Sequence, residues 1–206
     1  MDKTKISTLI QSIIDSDKDQ YDFTDIVDLD NALTRRLHLG AIDSDFADAV
    51  DNYIRFFNRL DDEEQVPIEE REPIKIYVNS GGGDVLATLT IIDSIRNSNT
   101  PVITINTGMA YSGGFFIYIA GHKRLAYENS TFLFHEGSVG NYGDANKFNN
   151  WAEFYKKLLQ KLKTITLRYT NITEEEYTIH QKDDWWFLAE DALQCGICDE
   201  IISVPV

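Results

Sequence analysis

The residues able to do chemistry gather around two glycine-rich stretches, "NSGGGD" at 79–84 and "GMAYSGG" at 108–114. Each follows an apolar run with strand character, "IKIYVN" at 74–79 and "PVITIN" at 101–106, and each precedes a helical pattern. The first N–H groups of a helix lack intrahelical partners and carry the positive end of its dipole. Glycine lets an oxygen approach those donors with no Cβ in the way. Two such turns side by side would aim two amides at one point, which is what an oxyanion hole requires. Ser112 falls in the second turn, the strand-to-helix position at which a hydroxyl is held clear of its own backbone. Its local pattern is Ala-Tyr-Ser-Gly-Gly rather than Gly-x-Ser-x-Gly, and a serine there would serve equally well as a helix N-cap.

A nucleophilic serine needs a base. Of the four histidines, His38 lies early in a strand, His122 in a Gly-His-Lys turn and His180 on a polar helix. His135 ends the apolar run "TFLF" and enters a glycine-containing loop, so it alone is expected at a strand end where it can meet Ser112. A third group must orient the imidazole, and "DDWWFL" offers Asp183 and Asp184, which would otherwise cap a helix expected to run from Trp185 to Gln194.

These residues are held by an alternating series of elements. A strand at 35–40 precedes a helix from Ser44, whose Phe46, Val50, Tyr53, Ile54 and Phe57 recur at three- and four-residue steps. The proline-containing charged stretch 61–72 reads as a solvated loop. After the two strand–turn–helix units, two short strands flank a turn at 128–130. A long helix follows over 144–169, then a helix capped by Thr173 and Glu176, and a closing strand in "ICDEIIS". The alternation predicts an α/β class with a largely parallel sheet. On the long helix, Phe148, Trp151, Tyr155, Leu158, Leu162 and Ile165 form a heptad-like seam that would face either the subunit's own core or another chain.

With 206 residues the chain suits one such domain, here 32–206, plus a terminal arm, 1–31, that sets eight aspartates against three lysines. The net charge of −15 argues against a nucleic-acid backbone as partner. No apolar run is long enough to span a membrane. Two cysteines, Cys195 and Cys198, build no disulfide framework. A lone Cys-x-x-Cys lacks the second pair of a zinc site, so core packing is expected and no metal or organic cofactor. A soluble, reducing, cytoplasmic setting is the expectation.

Taken together, "YVNSGGGDVLATLTIIDSIR", "INTGMAYSGGFFIYIAGHKRLAYENSTFLFHEG" and "DDWWFLAEDALQCGICDEII" resemble the proteolytic subunit of the Clp protease (ClpP) family of serine peptidases, over roughly Leu33 to Ile202. The resemblance implies a ClpP/crotonase-like fold of repeated β-β-α units with a protruding long handle helix. It places Ser112 on the nucleophile, His135 on the general base and Asp184, rather than Asp183, on the orienting acid. The Gly83 and Gly113 amides fall on the oxyanion hole, with Gly82 supporting the turn. Gly137, Ser138 and Val139 fall where a substrate strand is paired.

The resemblance further implies hydrolysis of unfolded polypeptides inside a chamber of stacked homo-oligomeric rings, joined through the handle helix, and an AAA+ unfoldase as partner. The arm 1–31 and loop 61–72 do not resemble the family's amino-terminal segments, so docking of that partner in the usual way is not expected. Gly81 stands in place of a common proline, Gly113 in place of a common methionine, and Glu136-Gly137 in place of a common Gln-Pro, which alters the pocket wall. Three other readings remain: a catalytically silent ClpP-like ring subunit, a phage-type head maturation protease of the same fold, and an acyl-CoA hydratase or isomerase sharing the paired-amide hole.

Overall fold

The computed structural model describes residues 30–31, 33–137 and 144–203. The chain clusters into two compact units, Met1–Leu37 and His38–Val206. In the first, the Thr34 hydroxyl donates to the Asp30 carbonyl at 2.6 Å.

The larger unit is an α/β assembly around a seven-stranded sheet. Its elements are the end of β1 (Arg36–Leu39), α1 (Ser44–Glu63), β2 (Ile74–Ser80), α2 (Val85–Arg96), β3 (Val102–Tyr111), α3 (Gly113–Ile119), β4 (Lys123–Tyr127) and β5 (Thr131–Phe134). They continue with α4 (Ala145–Tyr169), α5 (Glu174–His180), β6 (Trp185–Leu188), α6 (Ala189–Gln194) and β7 (Glu200–Ile202). The core strands bury alternate residues completely, Ile74, Ile76 and Val78 on β2 among them. Helix α1 packs on α2 and buries Ala47, Val50, Ile54 and Phe57, the spacing of one helical face. Asp43, Asp84, Asp144 and Thr173 cap α1, α2, α4 and α5 through their side chains.

β3 organises the sheet. Its first half pairs in parallel with β4, from Ile103↔Lys123 to Asn106↔Ala126. Its second half leaves that line and pairs in parallel with β5, from Met109↔Thr131 to Tyr111↔Leu133. The register with β2 slips at the same place, between Val78 and Ser80, an irregularity of the kind that re-aims a strand beside a functional site. The strands on either side of the 128–130 turn therefore do not pair with each other; each lines a different half of β3.

The expected helix over 185–194 is corrected. Trp185–Leu188 is a strand, antiparallel to β5, and the helix starts only at Ala189. The bulky aromatic residues of "WWFL" suit a pleated strand, and the available edge of β5 satisfies their backbone. Asp183 and Asp184 thus precede a strand and cap no helix. On the heptad-like seam, Leu158 and Leu162 take the first of the two alternatives, buried in their own subunit where α4 lies on α3, while Phe148 at the other end is about half exposed, as is Phe154 beside the seam.

Candidate active site

The two glycine turns meet. Gly82 and Gly83 have φ of 100° and 159°, and a Cβ placed on Gly82 would stand 2.7 Å from Ser112 Cβ and 3.0 Å from Gly113 N. A Cβ on Gly113 would stand 3.4 Å from Gly83 N. Only a chain without those side chains can bring the turns this close. Hydrogen bonds pin the first turn: Gly82 N donates to Ser80 Oγ at 3.1 Å, and Asp84 N donates to the Ile42 carbonyl at 2.9 Å. Among the described residues, neither Gly83 N–H nor Gly113 N–H donates to a protein acceptor. Two adjacent amides are left free to receive an oxyanion.

Ser112 lies between β3 and α3 at φ 53° and ψ −122°, a conformation costly for any residue with a side chain. Its hydroxyl makes no capping bond to α3, so an N-cap role does not account for it. Its N–H donates to the Leu133 carbonyl at 3.0 Å, tying the serine to the end of β5. Two residues on is His135. The β5–β6 ladder ends at Phe134↔Trp185, and the same antiparallel register, continued by one residue, sets His135 opposite Asp184. His135 Nδ1 lies 3.3 Å from Asp184 Oδ1. Asp184 is the more exposed of the two, with 59% of its side chain accessible against 29% for His135.

Ser112, His135, Gly83, Gly113 and Gly137 line one cleft of about 620 Å³. Asp184 stands behind His135 rather than in the cleft, and Gly82 supports Ser112 from beneath. Ser138 and Val139 lie outside the described residues. The other histidines are engaged elsewhere: His38 stacks on Tyr77, His122 Nδ1 accepts from Val102 N at 3.0 Å, and His180 stacks on Trp185. Cys198 is buried, and burial pushes both thiols above their ordinary range. Among the described residues no cluster of three His, Cys, Asp or Glu is arranged to hold a metal.

Sequence reasoning placed Glu136 on the pocket wall but missed the apolar side chains of the far wall. It is made by Leu86 and Phe116 with Trp151, Phe154, Tyr155, Leu158 and Leu162 of α4, and by Glu136. Steps of three and four along α4 marked most of this stripe as one apolar face, yet periodicity alone does not say what a face looks onto. The Tyr155 hydroxyl donates to the Glu136 carbonyl at 3.2 Å, and the buried Tyr177 hydroxyl donates to Glu136 Oε1 at 3.3 Å. Burial first, and the Glu136 carboxylate second, hold both phenols above their ordinary pKa.

A family model described as Clp protease matches residues 42–205. The ATP-dependent Clp protease proteolytic subunit of Deinococcus radiodurans is 34% identical over 134 residues, covering 64% of this chain and 66% of that protein. Subunit 2 of Pseudomonas aeruginosa is 34% identical over 133 residues, 64% of this chain and 66% of that protein. Subunit 1 of Streptomyces coelicolor is 33% identical over 132 residues, covering 63% of this chain and 60% of that protein. The matched segment thus spans about two thirds of these curated relatives' length. Among solved structures, a ClpP1 point mutant from Listeria monocytogenes shares the fold with a TM-score of 0.73 at 23% identity, covering 86% of this chain and 96% of that one.

Proposed function

Because the chain belongs to the Clp protease family, we propose that it is a serine endopeptidase of the Clp type, with Ser112, His135 and Asp184 as its catalytic triad. One observation supports this above all others. Ser112 is held at positive φ with its hydroxyl released from helix capping, in the same cleft as a histidine that is backed by a carboxylate at 3.3 Å. Strain of that kind is kept where the surrounding structure fixes a reactive group.

In this reading Ser112 Oγ attacks a peptide carbonyl while His135 takes its proton, and the new alkoxide is received by the Gly83 and Gly113 N–H groups. His135 returns the proton to the leaving amine, and a water repeats the cycle on the acyl-enzyme. Asp184 keeps the imidazole oriented and stabilises its charged form. Gly137 and the neighbouring Ser138 and Val139 would bind the substrate backbone. Residues 32–206 form the peptidase domain and 1–31 an accessory arm. Unfolded polypeptides in the cytoplasm are the substrates, a homo-oligomeric chamber of stacked rings is the working form, and an AAA+ unfoldase is the partner class suggested by relatives whose names read "ATP-dependent".

Covalent labelling tests the reading. A fluorophosphonate should modify Ser112, because base and oxyanion hole activate only that hydroxyl, and Ser112→Ala should abolish both label and peptide hydrolysis while the protein stays folded. An adduct on another serine, or none in folded and assembled protein, would leave a silent ring subunit as the better account.

A further inference from the structure

The cleft has an electrostatic character that peptide hydrolysis alone does not require. Glu136, next in sequence to His135, is partly buried in its wall, and no Lys or Arg is among the described residues that line it. Among the described residues, Oε1 accepts one hydrogen bond, from the Tyr177 hydroxyl, and Glu136 makes no ion pair. Lys163, which lies over the Tyr177 ring at 5.5 Å, is committed to Glu174 at 2.7 Å. The second carboxylate of the cleft, Asp84, spends Oδ1 on capping α2. A carboxylate beside an apolar wall, with no Lys or Arg paired to it among the described residues, attracts a cation that enters the cleft.

The rest of the wall suits the stem of such a cation. Trp151 and Tyr155 present stacked rings, their centroids 5.5 Å apart, and Leu86, Phe116 and Leu158 supply aliphatic and aromatic surface. Lysine and arginine side chains bury a methylene stem along such a surface and carry the charge at the tip, where aromatic faces and a carboxylate both attract it. Gly83 and Gly113 line this same cleft, so in the peptidase reading the cleft takes the side chain next to the carbonyl that their amides would hold.

We propose that Glu136 and the Trp151–Tyr155 wall make this cleft selective for a cationic residue, lysine or arginine, on the carbonyl side of the scissile bond. This specificity rests on the peptidase reading of the same site.

The test is competition against fluorophosphonate labelling of Ser112 by two tripeptide aldehydes, alike except that one ends in arginine and the other in citrulline, which has nearly the same shape and no charge. The arginine aldehyde should protect Ser112 at roughly tenfold lower concentration, the scale of one charge pair in a partly screened cleft. That advantage should shrink with added salt in the unaltered protein, and Glu136→Gln should bring the two aldehydes to parity. Equal protection by the two in the unaltered protein, or an arginine advantage that survives Glu136→Gln undiminished, overturns the specificity and leaves the peptidase reading standing. Absence of any labelling at Ser112 removes both together.

Discussion

Ser112 has a cost built into its backbone, and it separates chemistry from stability. At φ 53° and ψ −122° a Cβ is disfavoured, whereas glycine accepts that geometry freely. Ser112→Gly should therefore raise the stability of the folded subunit by about 1 kcal/mol relative to Ser112→Ala, while both lack activity. Paired thermal melts check this; a glycine variant no more stable than the alanine one would mean the conformation carries no strain. The His135–Asp184 contact calls for a different experiment. Asp184 is largely exposed, so water shares its work, and Asp184→Asn should cost less activity than His135→Ala. The double variant should be no worse than His135→Ala, because members of a triad act as a unit and their losses do not add. Losses that multiply would show the two residues acting independently.

At the scale of elements, the site depends on a strand that its own sequence does not announce. "WWFL" is four residues long and carries no periodicity; its partner, β5, lies more than fifty positions upstream. Yet its register places Asp184 opposite His135. Asp184 was legible from the resemblance, while the ladder that delivers it was not, because strand pairing is a long-range property. The glycine turns were legible for the opposite reason: close approach of backbone demands glycine locally, and "GGG" and "SGG" state that demand in the sequence. Helix α4 lies between these cases. Its stripe was plain, but Leu158 and Leu162 turn out to face α3 and the cleft in their own subunit. Leu162→Asp should accordingly destabilise the isolated subunit by roughly 3–5 kcal/mol, since it places an unpaired charge in a buried apolar contact. A denaturant titration of monomeric protein reads this directly, and an unchanged midpoint would return that residue to an intersubunit role.

At the scale of the whole molecule, the proposed homo-oligomer must be reconciled with a net charge of −15. Identical subunits repel one another, and the repulsion reaches about 30 Å at 0.01 M salt but only about 8 Å at 0.15 M. An apolar patch must outweigh what remains. Along α4, Phe148 and Phe154 (the latter also on the cleft wall) are 45% and 50% exposed whereas Leu158 and Leu162 are buried, so the proposed homo-oligomer is expected to use this end of the helix as its seam. Assembly should therefore strengthen as salt is raised through this range, because screening removes repulsion and leaves the apolar contact intact. Phe148→Glu with Phe154→Glu should lower the assembled fraction at every salt concentration, by placing charge in an apolar contact and removing its aromatic surface. The subunit's thermal midpoint should hardly move, since both side chains are half in water already. Native mass spectrometry across a salt series separates the two effects. A variant that keeps its full particle at low salt would place the seam elsewhere, while one that loses the particle and unfolds would show these residues serving the subunit's own core, as Leu158 and Leu162 do.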